Sequence, residues 1–342
     1  MLPRIPERNK KPGVCYAVTD DGIELPVIDV TNPAFNIHVS DLELDELFQQ
    51  HLKEIKSRER VPGFLMRLML GWMQRNSILM RGVAASAGTF MTGMHTYILK
   101  LGPENLNDGY ASNFDRRVAD SLPVLSARLR LQDISHLMAD SLVPVLSAGE
   151  KSPLHLINIG GGPGADSLNA LILLQKEHPV LLAGRCVFIH ILDLDEIGPE
   201  FGARALNSLM SDNGPLHRLY LRFDPLKYDW SDPTGMRVLV NSYDGQGVIV
   251  AASSEGALFE YGSDDEIVAN LRTLHEVTSG AALVVGTVTR ADDKGRLMNS
   301  ASQAALKLRS LEAFTALVRH AGWKITKSID RPLSHDILLE KA

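Results

Sequence analysis

The segment Leu154-His-Leu-Ile-Asn-Ile-Gly-Gly-Gly-Pro-Gly-Ala-Asp-Ser-Leu168 constrains this chain most. A short apolar run passes into four glycines within five residues, Gly160, Gly161, Gly162 and Gly164, and then into a helical pattern. That is the signature of a buried strand, a tight turn and a helix N-terminus. Glycine carries no Cβ and tolerates positive φ, so backbone here can come close to a ligand while the first helical N–H groups point at it.

The residues that follow set the fold class. Apolar strands are expected at Leu154–Ile159, Val187–Leu192, Leu219–Phe223, Val248–Ala252 and Ala281–Val288. Amphipathic helical segments separate them at Ala165–Glu177, Glu200–Leu209, Asp264–Val277 and Leu306–His320. Continuous apolar strands alternating with helices give a parallel sheet covered on both faces. Trp323–Ile329 and His335–Glu340 are two more strands, and the turn at Asp330-Arg-Pro is too short for a parallel crossover. They must pair antiparallel or leave the sheet. The expected fold is α/β: a doubly wound, mostly parallel seven-stranded sheet closed by a C-terminal antiparallel hairpin.

Before this regular part, Val14–Val18 and Ile23–Ile28 flank Asp20-Asp21-Gly22 and read as a hairpin, with Pro26 confined to an edge or bulge. Asp41–Arg60 alternates charge and leucine at helical spacing behind a Ser40 cap. Phe64–Leu101 reads as helical and Met-rich, packed as core or as a Met-lined cover over a cavity. Leu101-Gly-Pro-Glu-Asn-Leu-Asn-Asp-Gly109 is dense in turn residues. It divides a hairpin-and-helix region, 1–108, from a second unit, 109–342. In that unit Asn113–Leu146 reads as two helices broken near Pro123.

Composition excludes some classes. The net charge of −6 argues against a nucleic-acid scaffold. Cys15 and Cys186 supply neither a disulfide framework nor metal-ligand spacing, so no metal and a reducing cytoplasm are expected. The N-terminus lacks an apolar signal core. Arg67, Arg75 and Arg81 interrupt the apolar stretch before it reaches the ~18 residues of a membrane span, so no membrane partner is expected.

Residues 113–342 resemble the class I S-adenosylmethionine-dependent methyltransferases of small-molecule type. The loop Asn158-Ile-Gly-Gly-Gly-Pro-Gly164 is similar to the family's first motif, with Asn158 where an acidic residue is usual. The resemblance implies S-adenosylmethionine as cofactor, held by Asn158, Gly160, Gly161, Gly162 and Gly164. Asp193 and Asp195 end the second strand, where the family places the carboxylate for the ribose hydroxyls. Spacing to the following helix favours Asp195, and the other aspartate is expected to cap that helix. Asp224, after the third strand, matches the family's adenine-contacting position, and Ser253 ends the fourth strand.

The segment Ser254-Glu-Gly-Ala-Leu-Phe-Glu-Tyr261 follows that strand and is expected to line the methyl-transfer site. It has no His-Asp-Trp-like base segment and no Asn-Pro-Pro-aromatic sequence. Glu255, Glu260 and Tyr261 are therefore the candidate catalytic groups, acting as base or substrate ligands. The expected function is methyl transfer to a small-molecule acceptor, oxygen before nitrogen or carbon. Residues 1–108 are expected to shape the acceptor pocket, with a homodimer as a candidate assembly. Two other readings remain open. Gly160-x-Gly162-x-x-Ala165 also fits the dinucleotide pattern of an NAD(P)-dependent oxidoreductase, and a non-catalytic methyltransferase-like module is the third.

Overall fold

The computed structural model describes residues 4–58, 62–86, 90–106, 112–148, 151–243, 247–278, 280–296 and 305–342. The order of elements follows the hydrophobic pattern. A two-stranded antiparallel ribbon, β1 (Tyr16–Val18) and β2 (Glu24–Pro26), opens the chain, and Pro26 sits where no further strand needs its missing N–H. Helices α1 (Asp41–Arg58), α2 (Gly63–Asn76), α3 (Ile78–Ala85) and α4 (Gly93–Lys100) follow. The Ser40 cap of α1 is present, reciprocated by Glu43.

Helix α5 (Asn113–Ala119) and the long α6 (Leu122–Ala148) break at Asp120-Ser121, which leaves Pro123 in the first turn of α6 where it removes no hydrogen bond. Then come β3 (Leu154–Ile159), α7 (Ala165–Glu177), α8 (Pro179–Leu182), β4 (Cys186–Asp193), α9 (Ile197–Leu209) and β5 (Tyr220–Lys227). Helix α10 (Thr234–Asn241), β6 (Ile249–Ser254), α11 (Leu258–Tyr261), α12 (Asp264–Val277) and β7 (Leu283–Thr289) continue the alternation. A helix at Leu311–His320 and the strands β8 (Trp323–Asp330) and β9 (Ser334–Lys341) close the chain.

The seven strands run in the order β5-β4-β3-β6-β7-β9-β8, parallel except at β9, which pairs antiparallel with both β7 and β8. Every residue of the central strand β3 is buried. Leu154 and Leu156 face the core under α6, α7 and α9, while Ile157 and Ile159 face the core under α10, α12 and the last helix. Trp323 is fully buried, and its Nε1 donates to Leu271 O at 2.8 Å, pinning the terminal hairpin to α12. From β3 the chain goes one way to β4 and later the other way to β6, so a crevice opens at the carboxyl ends of these strands.

Three boundaries moved. Helix α9 begins at Ile197 instead of Glu200, and the last helix begins at Leu311 instead of Leu306. Strand β5 continues four residues past Phe223, because Asp224-Pro-Leu-Lys227 pairs on with His190–Asp193. Leu226 lies on this partly open sheet edge, and the polar Asp224 that looked like a strand end is inside the ladder.

Candidate functional site

The glycine loop is held by its neighbours. Gly160 N donates to Leu192 O at 2.7 Å, and Gly164 N donates to Gly161 O at 2.8 Å. Gly162 and Gly164 have φ of 50° and 67°, which other residues adopt at a cost, and Gly164 opens α7 in the left-handed conformation. Asp193 accepts from Gly162 N at 2.7 Å and from Asp195 N at 2.9 Å, so it braces the loop against the end of β4. Asp195 accepts from Ile197 N at 3.2 Å and Gly198 N at 3.4 Å, so the cap of α9 expected of Asp193 is corrected to Asp195, the residue nearer the helix start. Both aspartates line the crevice together with Gly160, Gly161 and Gly162. Burial, partly offset by these backbone donors, raises Asp193 above the usual carboxylate range.

Asn158 lies beneath the crevice. Its Nδ2 donates to Asp166 and, at 2.8 Å, to Ser253 Oγ, while its Oδ1 accepts from Ser167 Oγ at 2.7 Å. It is fully buried and does not line the crevice, so it is not placed for the expected direct contact with a cofactor; its hydrogen-bond partners Asp166 and Ser253 are the residues that line the crevice. The missing carboxylate of the loop motif reappears nearby. Asp166, in the first turn of α7, brings a negative charge to the position that Asn158 leaves neutral. Burial raises its carboxyl, with Glu255 adding to the rise and Lys100 opposing it.

Glu255, Glu260 and Tyr261 separate into three situations. Glu255 lines the crevice and is bound by two cations, Lys100 and Arg130, the latter at 2.5 Å. Burial alone would raise its carboxyl, but Lys100 and Arg130 outweigh it and the net shift is down. Glu260 points away from the crevice. It accepts from Arg130 Nη1 at 2.9 Å and from Thr289, and it is buried, so its expected place at the methyl-transfer site is corrected to that of a structural counter-ion. Tyr261 lines the crevice, and burial followed by the neighbouring Glu260 pushes its phenol up to about 12.

Asp224 needs a larger correction. It accepts from Arg222 Nε at 2.7 Å and lies 3.8 Å from His190 Nδ1, in a second cavity of about 800 Å³ on the sheet face beside α10. Being inside the β5 ladder, opposite His190, it cannot reach the crevice. The residues that stand at the end of β5 are Tyr228 and Trp230, both of which line the crevice. Tyr228 donates its phenol to Asn270 Oδ1.

The wall opposite the glycine loop comes from the end of the Met-rich stretch Phe64–Leu101, for which a cover over a cavity was one of the two expected roles. Phe90–Gly93, Thr96, Tyr97 and Lys100 form it, so the covering segment is the start and length of α4. Asn113, Phe114 and Arg116, at the start of the second unit, do not line the crevice. A Cβ on Gly93 would fall 2.6 Å from Gly162 Cα, so two backbones touch directly here. Phe90 packs edge-on against Trp230 and Tyr261, with ring centroids 6.4 Å from each. These contacts leave an enclosed volume of about 70 Å³, whereas sites for drug-sized ligands run to about 300–1,000 Å³.

No known family profile and no curated protein matches the chain. Solved structures do. A structure titled as that of a possible exported protein from Bordetella parapertussis covers 89% of this chain and 97% of its own, at 14% identity and a TM-score of 0.55. The mitomycin 7-O-methyltransferase MmcR covers 78% of this chain and 69% of its own, at 12% identity and a TM-score of 0.40. Magnesium protoporphyrin IX methyltransferase from Synechocystis PCC 6803, with bound S-adenosylhomocysteine, covers 63% and 87% at 13% identity and 0.40. What decides the fold is the strand order, with the final hairpin inserting β9 between β7 and β8. This is the class I methyltransferase fold. In it, the glycine loop after the first sheet strand and the acidic end of the next strand flank one crevice, as Gly160–Gly164 and Asp193 do here.

Proposed function

We propose that this chain is an S-adenosylmethionine-dependent methyltransferase acting on a small-molecule acceptor. The observation that supports it most is the charge set at the floor of the crevice. Asp166, Glu255 and Lys100 stand beside the Gly160–Gly162 backbone, which suits the ammonium and carboxylate of an amino-acid end. Asp166 would hold the ammonium, Lys100 the carboxylate beside its pair with Glu255, and Asp193 or Asp195 the ribose hydroxyls through their unused lone pairs. The bound cofactor supplies a methyl group already activated on a sulfonium. What remains for the protein is positioning and exclusion of water.

The acceptor side is aromatic: Phe90, Trp230 and Tyr261 surround the mouth. Tyr261, with its phenol at about 12, stays protonated near neutral pH and orients an acceptor by hydrogen bonding without removing its proton. Glu255, held ionised by two cations, is a weak base. A site without a free base suits an acceptor that is anionic by itself, a phenolate or carboxylate oxygen, and this supports oxygen over nitrogen or carbon. The division at 108/109 becomes a division of labour in which the N-terminal region supplies Lys100 and the cover, and the sheet unit supplies the loop.

The test is calorimetry with two ligands, S-adenosylhomocysteine and 5′-methylthioadenosine, which lacks the amino-acid end. Losing a charged hydrogen bond costs about 1.5–3 kcal/mol, roughly ten- to a hundredfold in affinity. Asp166→Asn should weaken the first ligand by that factor and leave the second within about twofold. If wild-type protein binds neither, the methyltransferase reading is wrong. If both bind and Asp166→Asn changes neither, only the role of Asp166 is wrong.

A further inference from the structure

Helix α2 exposes what helices normally bury. Phe64, Leu68 and Trp72 are 66%, 68% and 58% exposed, and Leu65 and Met69 lie beside them, so one face of the helix is an uninterrupted apolar ridge. The spacing of i, i+4, i+8 places these three on one line along the helix. Contiguous apolar surface of this kind marks an interaction site.

Charge identifies the partner. From residue 60 to residue 103 the sequence holds Arg60, Arg67, Arg75, Arg81 and Lys100 and no Asp or Glu, in a chain whose net charge is −6. Lys100 is spent on Glu255, but Arg75 and Arg81 are exposed and form no ion pair among the described residues. Pairing α2 with α2 of a second copy about a two-fold axis would bring the arginines of both copies together with no acid between them. An anionic bilayer surface offers the complement in one plane, hydrocarbon for the ridge and phosphate for the arginines. At 14 residues α2 is about 21 Å long, too short to cross a ~30 Å hydrocarbon layer and the right size to lie in its surface. No described helix is long and apolar enough to span a membrane, which fits an in-plane contact.

We infer that α2 seats this protein on an anionic lipid surface, with Phe64, Leu68 and Trp72 inserted to the level of the acyl chains. This stands apart from the methyltransferase reading and goes against the expectation of no membrane partner, which rested on the lack of a spanning segment.

The test is flotation of the full chain with two kinds of vesicle, phosphatidylcholine alone and phosphatidylcholine containing phosphatidylglycerol. Expected is flotation with the anionic vesicles, a blue shift of Trp fluorescence, and loss of both with Leu68→Glu/Trp72→Glu. Because these side chains are exposed, the double variant should keep the wild-type far-UV circular dichroism and urea midpoint. Binding should also weaken at least tenfold when salt shortens the Debye length from about 10 Å to about 3 Å. Equal binding to both vesicle types overturns the charge argument and the proposal with it. No flotation overturns it as well, as does flotation unchanged in the double variant. A wild-type dimer in light scattering that the double variant abolishes, without vesicle binding, assigns the ridge to a second copy instead.

Discussion

At the carboxyl end of β6, Lys100, Arg130, Glu255 and Glu260 are buried as charges that neutralise one another; on the sheet face beside α10, His155 and His190 are buried as uncharged rings. In the first cluster burial is offset by partners, and the partners come from three places in the chain: α4, α6 and the segment after β6. Arg130 lies between the two carboxylates, and their charges hold it protonated against burial. Such a cluster works only when all its members are in place, so it ties the N-terminal helices to the sheet unit. In the second cluster burial wins. His155 Nδ1 and His190 Nε2 share a hydrogen bond at 3.0 Å, and the rings lie within 7° of parallel, with Tyr243 tilted over His155 at 3.7 Å between centroids. Burial, with His190 adding to it for His155 and Asp224 opposing it for His190, brings both imidazoles down to about 4. One cluster depends on completeness, the other on staying neutral.

The largest effect should come from breaking the first cluster. Arg130→Met leaves Glu255 and Glu260 buried without their shared cation, a change that costs about 3–5 kcal/mol. The urea midpoint should fall accordingly, and Glu260→Gln added to Arg130→Met should restore part of it. A loss below about 1 kcal/mol would mean that the network does not hold the structure.

The second cluster should lose stability on acidification, as a salt-bridged carboxylate does, but from a higher pH and because its groups must stay neutral rather than charged. An unfolded histidine takes up its proton near 6.5, while the folded pair refuses it down to about 4. Between those values the unfolded state binds more protons, so stability is full above pH 6.5 and declines as pH falls toward 4. At pH 5 the loss should be of order 2 kcal/mol for each histidine that must stay neutral. His155→Phe, stacked as His155 is on Phe188, should flatten the slope in urea titrations across this range. An unchanged slope would show that these rings do not set it.

The smallest effect separates the two clusters functionally. Asp224→Asn alters only the cavity beside α10, so affinity for S-adenosylhomocysteine should stay within about twofold of wild type. A tenfold loss would return Asp224 to the cofactor crevice and break the distinction.

Much of this was legible because the evidence was local. Leu154–Ile159, Ala165–Glu177 and Asp264–Val277 have the predicted boundaries, since strand burial and helix caps are written in neighbouring residues. Asp224 was misplaced because a proline follows it and reads as a strand end, while β5 in fact runs on through Pro225 beside β4. Lys100 and Arg130 were missed for a different reason. Each sits in an apolar helical stretch, and its partner is 155 or 125–130 residues away, a distance over which no periodic pattern signals a contact. A lone cation within an apolar helix was the one available hint. The cover over the loop falls within the Met-rich stretch Phe64–Leu101 read as core or cover, but which part of it closes on the loop was not legible, because close backbone approach at Gly93 and Gly162 is a tertiary event.

The central claim is that one crevice, made jointly by the glycine loop and α4, binds the cofactor. Amide hydrogen exchange of the full chain with and without S-adenosylhomocysteine tests it most directly. Exchange should slow in two places together, 160–166 and 93–101, with the amides around Tyr243 unchanged. No change at either segment under a millimolar excess of ligand (about −4 kcal/mol of binding free energy or weaker), or protection at the loop without α4, would contradict it.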